Sequence, residues 1–327
     1  MSTPRIVTIE WAVLEGQRPR SAGSNARLGA HGISVRVPIL RITTDDGTSG
    51  FSACHAPPDL AAGLLGRSLD DVFAPDQGVR APWLAYEYPI WDLIGQHMGV
   101  PVYALAAAIA GATVQEPFLA RCYDTSLYFD DLHLASDQAA AELIAAEARD
   151  GYARGHRAFK IKVGRGARHM PLEAGTQRDI AIVRAVRAAL GPEPPIMLDA
   201  NNGYTLNLAK HVLAETADCG IFWLEEPFHE DDILYQDLHN WLVQARLQTL
   251  IADGEGQADP RLLVWARAGL VDVVQYDIFS YGMTRWLTLG RELDAAGVRS
   301  APHHYGAHYG NYVACQDRKS TRLNSSH

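Results

Sequence analysis

From residue 118 onward the chain repeats one pattern: a short apolar run, a polar turn, an Ala-rich amphipathic stretch, then another apolar run. Parallel strands need a crossover long enough to hold a helix, so this alternation predicts consecutive βα units. Strands are expected near 118–123, 158–163, 195–199, 221–225, 249–253, 271–277 and 298–302. Between them, AAAELIAAEARDGYARG and RDIAIVRAVRAALG place apolar residues at helical spacing, and Gly151 and Gly191 stand where helix ends are expected. Seven such strands are one short of a barrel of eight.

The first hundred residues read differently. Residues 5–15 and 33–42 are β-branched and partly alternating, and Asp45-Asp46-Gly47 turns the chain into residues 48–53, which predicts a small antiparallel sheet. The Gly-, Ser- and Arg-rich segment 16–32 reads as a mobile loop. Residues 98–114 carry no charge, but Pro101 and Gly111 interrupt them and they are too short for a bilayer, so a buried helix and its connection are expected. Residues 317–327 lose all apolar periodicity and read as an appended, non-native tail. Without its three basic residues and one acidic residue the charge moves from -9 to -11. The predicted fold class is therefore α/β: a modified TIM-type (β/α) barrel over 118–316, truncated before its last strand, preceded by an α+β domain over 1–117.

A content of 47% hydrophobic and 20% charged residues supports a sizeable core, and the net charge argues against nucleic-acid partners, which require a basic surface. Cys54, Cys122, Cys219 and Cys315 form no CxxC pair, so neither zinc nor a disulfide framework is signalled. With no signal-peptide order at the amino terminus and no membrane span, a cytoplasmic protein is expected. The homo-oligomeric state is left open.

The chemistry is carried by where ionisable residues fall. Lys160 and Lys162 lie on the second strand, Asp199 ends the third, Glu225 ends the fourth, Glu255 follows the fifth, Asp277 ends the sixth and His303 follows the seventh. Successive gaps from Lys162 are 37, 26, 30, 22 and 26 residues, one βα unit each. Strand ends of such barrels converge on one face, so this register predicts that all seven side chains share one mouth. Singly, each motif has an ordinary reading as a solvated strand edge, a turn or a polar rim. Six successive strands each ending in a useful polar group do not.

Asp199, Glu225 and Glu255 are hard oxygen donors suited to Mg2+ rather than a softer metal. A cation there would hold a substrate carboxylate and stabilise the enediolate left when the neighbouring proton departs. Lys162 is expected to act as base, its proton affinity lowered by Lys160 and the metal, with His303 opposite it and oriented by Asp277. Strand alternation favours Glu225 over Glu226 as the inward residue, and His303 is preferred to His304 and His308 in the same segment.

KIK at 160–162, LDANNGY from Leu198, WLEEP from Trp223, ADGE ending at Glu255, QYD ending at Asp277 and PH ending at His303 resemble the ordered motifs of the mandelate racemase subgroup of the enolase superfamily. YPIWDLIGQHMGVPVYAL is similar to a helical segment of that family's capping domain. The resemblance implies Asp199, Glu225 and Glu255 as magnesium ligands, Lys162 as one base, Asp277 with His303 as the other, and Lys160 as partner of the substrate carboxylate. It also suggests substrate contact by Asn201. The chain departs from the pattern at GFSA, where the family has an acidic residue. Arg27, in the segment expected to cover the mouth, is a further substrate-binding candidate. The function expected is a magnesium-dependent hydro-lyase acting on a small carboxylate, an acid-sugar dehydratase in sugar-acid catabolism. A racemase or epimerase of a 2-hydroxy acid and an inactive truncated fragment are the alternatives.

Overall fold

The computed structural model of the protein describes residues 3–112 and 122–304. The chain divides into two compact units, one of residues 1–18, 34–120 and 276–327, the other of residues 19–33 and 121–275. The tail 317–327, Cys315, His308 and any eighth strand lie outside the described residues.

In the second unit six parallel strands pair in chain order: Asp124–Leu127, Phe159–Lys162, Ile196–Asp199, Ile221–Glu225, Leu250–Asp253 and Val273–Val274. Their register sets Lys162 beside Asp199, and Asp199 beside Glu225. Five of the six fall where the apolar runs predict them. Of the first, residues 118–121 lie outside the described residues; Cys122 and Tyr123 are not strand, and Asp124–Leu127 is, with Asp124 N–H donating to Ala158 O at 2.8 Å. That strand pairs with its neighbour at Asp124–Phe159 and Leu127–Ile161.

The crossovers hold helices Asp137–Ala153, Leu172–Leu190, Leu206–Glu215, Asp232–Ala245 and Leu262–Arg267. The first is capped by Ser136, whose Oγ accepts from Ala139 N at 3.1 Å, and it buries Ala140, Ala141, Ile144, Ala145 and Ala148 on one face. Gly191 ends the second helix at φ 75° as expected. Gly151 is inside the first helix rather than at its end, where a Cβ would lie 2.2 Å from Asp124 Oδ2 and require that side chain to shift.

The expected loop 16–32 is shorter than its composition suggests. Strands Ile6–Ala22 and Gly32–Thr44 run into it, leaving residues 23–31 as the connection. Cross-strand backbone bonding tolerates polar side chains on exposed arms, which is why Gly, Ser and Arg content misplaces the boundary. The connection itself is built on Asn25, whose Oδ1 accepts from Arg27 N at 2.9 Å and Leu28 N at 2.6 Å.

Arg20, on the end of the first strand, donates to Asp130 at 2.6 Å and contacts Glu147 at 2.8 Å. The second oxygen of Glu147 is buried without a partner among the described residues. Burial, reinforced by Asp130 and opposed by Arg20, pushes the Glu147 carboxyl up to about 7. Folded Glu147 thus keeps a proton that the unfolded chain releases near 4.5. Its stabilising contribution is present at low pH and is lost as pH rises through that interval. Glu147→Gln, a permanent mimic of the protonated form, should flatten the pH dependence of thermal melting between about pH 5 and 8. It should be about 1–3 kcal/mol more stable than the parent at the upper end; an unchanged profile would show that Glu147 does not titrate there.

In the first unit the predicted antiparallel pairing forms between Gly32–Thr44 and Ser49–Ala53 across the Asp45-Asp46-Gly47 turn. The shorter strand lies on helix Glu87–Met98, where a Cβ on Gly50 would be 2.2 Å from Leu93 N. Leu40, Ile42, Leu64, Phe73, Ile90 and Trp91 are among the residues that form the core, joined by Met283 and Leu287 of helix Met283–Ala295. Trp91 packs edge-on to Phe73 at 4.9 Å and donates to Thr284 Oγ1 at 3.1 Å. The uncharged stretch from Met98 yields helix Val102–Ile109, which buries Leu105, Ala106 and Ala107, while residues 113–114 are outside the described residues. The seventh predicted strand is present as Arg299–Ser300. Among the described residues no helix is long and apolar enough to cross a membrane, and Cys54 and Cys219 are not joined in disulfides.

Candidate active site

On strand Phe159–Lys162 all four residues are buried. Alternation sends Phe159 and Ile161 one way and the two lysines the other. The lysines meet the carboxylates that end the next strands. The Lys160 ammonium hydrogen-bonds Glu225 Oε1 and lies 3.2 Å from Asp199 and 3.7 Å from Glu255. Lys162 hydrogen-bonds Asp199 Oδ2. Asp199, Glu225 and Glu255 each offer an oxygen within 4.8 Å of the others. Glu225 also accepts from Trp223 Nε1 and Gln275 Nε2, both at 2.9 Å. Asp199 and Glu225 are fully buried, and Glu255 is partly exposed.

Burial and the neighbouring Asp199 and Glu255 drive the Glu225 carboxyl well above the usual range, against the pull of Lys160. For Asp199 burial acts upward too, but Lys162 and Lys160 outweigh it and hold the group below the usual range. Burial alone would lower Lys162, and Lys160 adds to that effect. Asp199 overrides both and raises it. Among the protein's own groups the lowering expected from Lys160 is therefore present at Lys162 but is outweighed by Asp199. Three carboxylates crowded in a buried space around one ammonium are a donor set that fits a hard divalent cation, and its charge would relieve both the mutual repulsion and the hold of Asp199 on Lys162.

Asp277 and His303 pair within the first unit, His303 Nδ1 to Asp277 Oδ2 at 2.9 Å. The other Asp277 oxygen caps the short helix Ile278–Tyr281, accepting from Phe279 N at 2.9 Å and Ser280 N at 2.8 Å. Burial raises the Asp277 carboxyl, but the His303 bond and the helix N–H groups prevail and hold it low. Asp277, held low in this way, bonds the imidazole at Nδ1. Of the seven strand-end residues, five therefore gather in the second unit, while the remaining two bond to each other in the first.

Asn201 lies in the turn after strand Ile196–Asp199, and Glu226 breaks the strand alternation that favours Glu225 as the inward residue. Both have left-handed backbones, φ 43° and 42°. Glu226 is consequently buried beside the group rather than turned away, accepting from Asn201 Nδ2 at 2.9 Å. Burial, then Glu255 and Asp199, push its carboxyl up to about 7. Arg27 reaches it at 3.7 Å. Tyr123 and Tyr128 were also not anticipated. Lys160 and Lys162 lie 5.4 and 5.6 Å from their respective ring centres. Gln275 stands inside the QYD motif, two residues before Asp277 on the predicted strand 271–277.

The family model described as enolase C-terminal domain-like matches residues 143–317, more than half of the chain. The chain belongs to that family. Within the enolase superfamily it is similar to a mandelate racemase/muconate lactonizing protein from Geobacillus sp. Y412MC10, solved with magnesium and tartrate. The identity is 51% and the TM-score 0.93 over 98% of this chain and 83% of that one. A galacturonate dehydratase from Geobacillus sp., complexed with D-galacturonate and 5-keto-4-deoxy-D-galacturonate, is 51% identical with a TM-score of 0.92 over 98% of this chain and 85% of that one. The D-galactarolactone cycloisomerase of Agrobacterium fabrum is 29% identical over 294 residues, 82% of this chain and 71% of that protein. The enolase-superfamily architecture, an α/β barrel-type unit with a strand-rich amino-terminal region, and a magnesium cofactor agree with the sequence reading.

Proposed function

We propose that the protein is an acid-sugar dehydratase whose active site comprises Lys160, Lys162, Asp199, Glu225, Glu255, Asp277 and His303. The observation that carries this reading is the convergence of three carboxylates and two lysines in one buried group. A capping domain over 1–117 and a barrel over 118–316 are part of the proposal. Asp199, Glu225 and Glu255 would hold Mg2+, which when bound polarises the substrate carboxylate and stabilises negative charge developing on it. Lys160 pairs with that carboxylate. Lys162 removes the proton from the adjacent carbon, and the electron pair moves onto the carboxylate. Its return expels the hydroxyl one carbon further on, which takes a proton from His303 and leaves as water. The resulting enol becomes a 2-keto acid. Asp277 keeps His303 oriented for that donation.

D-galacturonate is the first substrate to test, since the 51% identical dehydratase was solved with it. Purified protein with Mg2+ should convert it to a 4-deoxy-5-keto product detectable with a carbonyl reagent, and a chelator should stop the reaction. Failure to form a keto product from any uronic or aldonic acid would reject the dehydratase reading. Exchange of the α-hydrogen in heavy water without keto product would favour a racemase or epimerase instead.

A further inference from the structure

Glu226 has no part in the proposed reaction, yet it is 3% exposed and built into the same group. Three side chains face its carboxylate: Asn201 Nδ2 at 2.9 Å, Asn202 Nδ2 at 3.5 Å and Arg27 Nη1 at 3.7 Å. Both amides turn their N–H toward Glu226, so their oxygens face away. Among the described residues those two oxygens are buried without a donor, and Asn201 is only 5% exposed. Buried acceptors of this kind call for a hydrogen-bond donor from the ligand. A sugar hydroxyl is one, whereas a second carboxylate would be a further acceptor beside Glu226.

The position of Arg27 is set by the fold. Ala26 occupies space against two glycines at successive strand ends: a Cβ on Gly203 would stand 2.7 Å, and one on Gly164 3.0 Å, from Ala26 Cβ. Arg168 Nη1 donates to Arg27 O at 2.6 Å and His169 Nε2 bonds Asn25 O at 2.8 Å. The loop carrying Arg27 is therefore seated on the turns that follow Lys162 and Asp199. Its guanidinium is already opposed by Glu226, so it does not present an unbalanced positive charge. Counted formally, Lys160, Lys162 and Arg27 against Asp199, Glu225, Glu255 and Glu226 leave one net negative charge. A bound divalent cation makes that one net positive charge, which a single carboxylate cancels.

Resting on the acid-sugar reading, we infer that Glu226, steadied by Asn201 and balanced by Arg27, selects polyhydroxy monocarboxylates and rejects dicarboxylic sugar acids. D-galacturonate and galactarate form a matched pair, differing only in whether the far terminus is an aldehyde or a carboxylate. Dissociation constants for both, measured by calorimetry with saturating Mg2+, should favour the monoacid by about 100-fold in the parent protein, with kcat/KM showing the same order. Glu226→Gln should narrow that ratio by about tenfold or more, and Arg27→Gln, which leaves Glu226 unopposed, should widen it. The two opposite shifts are a pattern that general loss of folding does not produce.

An unchanged ratio in Glu226→Gln, a parent that prefers the diacid, or failure to bind either acid would overturn the assignment. Keto product with an unchanged ratio sinks the charge selection alone. The expected ratios of dissociation constants without any keto product sink the dehydratase reading alone.

Discussion

Glu225→Gln is expected to abolish the stabilisation of the protein by Mg2+ and to lower turnover of a sugar acid by about 10³-fold or more. Glu225 stands centrally among the three carboxylates. It is bonded to Lys160, Trp223 and Gln275 and shares its buried space with Asp199 and Glu255. The amide keeps the shape but removes one of the three anionic donors, so cation affinity falls while the fold persists. Melting followed with and without Mg2+ separates the effects. The parent should melt higher as the free cation concentration rises, because a ligand that binds only the folded state adds stability with concentration. The variant should show little such rise. A variant that retained the full magnesium-dependent shift would remove Glu225 from the metal site.

The second large effect is expected at Arg165, which is fully buried beside the strand that carries both lysines. Its guanidinium donates to Asp131 Oδ1 at 2.6 Å, Asp179 Oδ1 at 2.7 Å and the Lys162 carbonyl at 3.1 Å, and lies over the Phe129 ring at 4.2 Å. Asp179 also accepts from Gly164 N at 2.7 Å and from Tyr204 OH at 2.9 Å. The network thus joins the turn after Lys162 to the turn after Asp199. Arg165→Met would leave buried Asp179 without its cation and Asp131 with the more distant Arg178 at 3.6 Å, at a cost of about 3–5 kcal/mol. Denaturant unfolding should show this as a lower midpoint with little change in slope. Arg165→Met combined with Asp131→Asn and Asp179→Asn should recover much of the loss, since the penalty comes from unpaired charge rather than lost volume. Similar stability for the single and triple variants would mean that packing, not charge, dominates there.

Lys160, Lys162, Asp199, Glu225 and Glu255 could be associated from the text alone. Each is carried by one βα repeat, and parallel strands in register bring their ends together whatever the intervening helix contains. Asp277 and His303 could be paired for the same reason. Glu226 could not be placed that way. Alternation sends it outward unless the residue adopts φ 42°, and that left-handed turn is supported by contacts with Asn201 and Asn202 from another strand end. The segment 16–22 was misread as loop because strand pairing acts through the backbone, to which its polar side chains are no guide.

Repetition along the chain was therefore sufficient to determine the class of fold, the order of its strands and the one polar group that each strand end supplies, because hydrophobic periodicity is a local property written in consecutive residues. Which lysine answers which carboxylate, why Lys162 binds its proton more tightly rather than less, and the presence of Glu226 and Arg27 beside the carboxylate group were decided only in three dimensions. Coulomb attraction and desolvation depend on distances of a few ångströms between strands and on the exclusion of water, and neither quantity exists until the chain has closed around them.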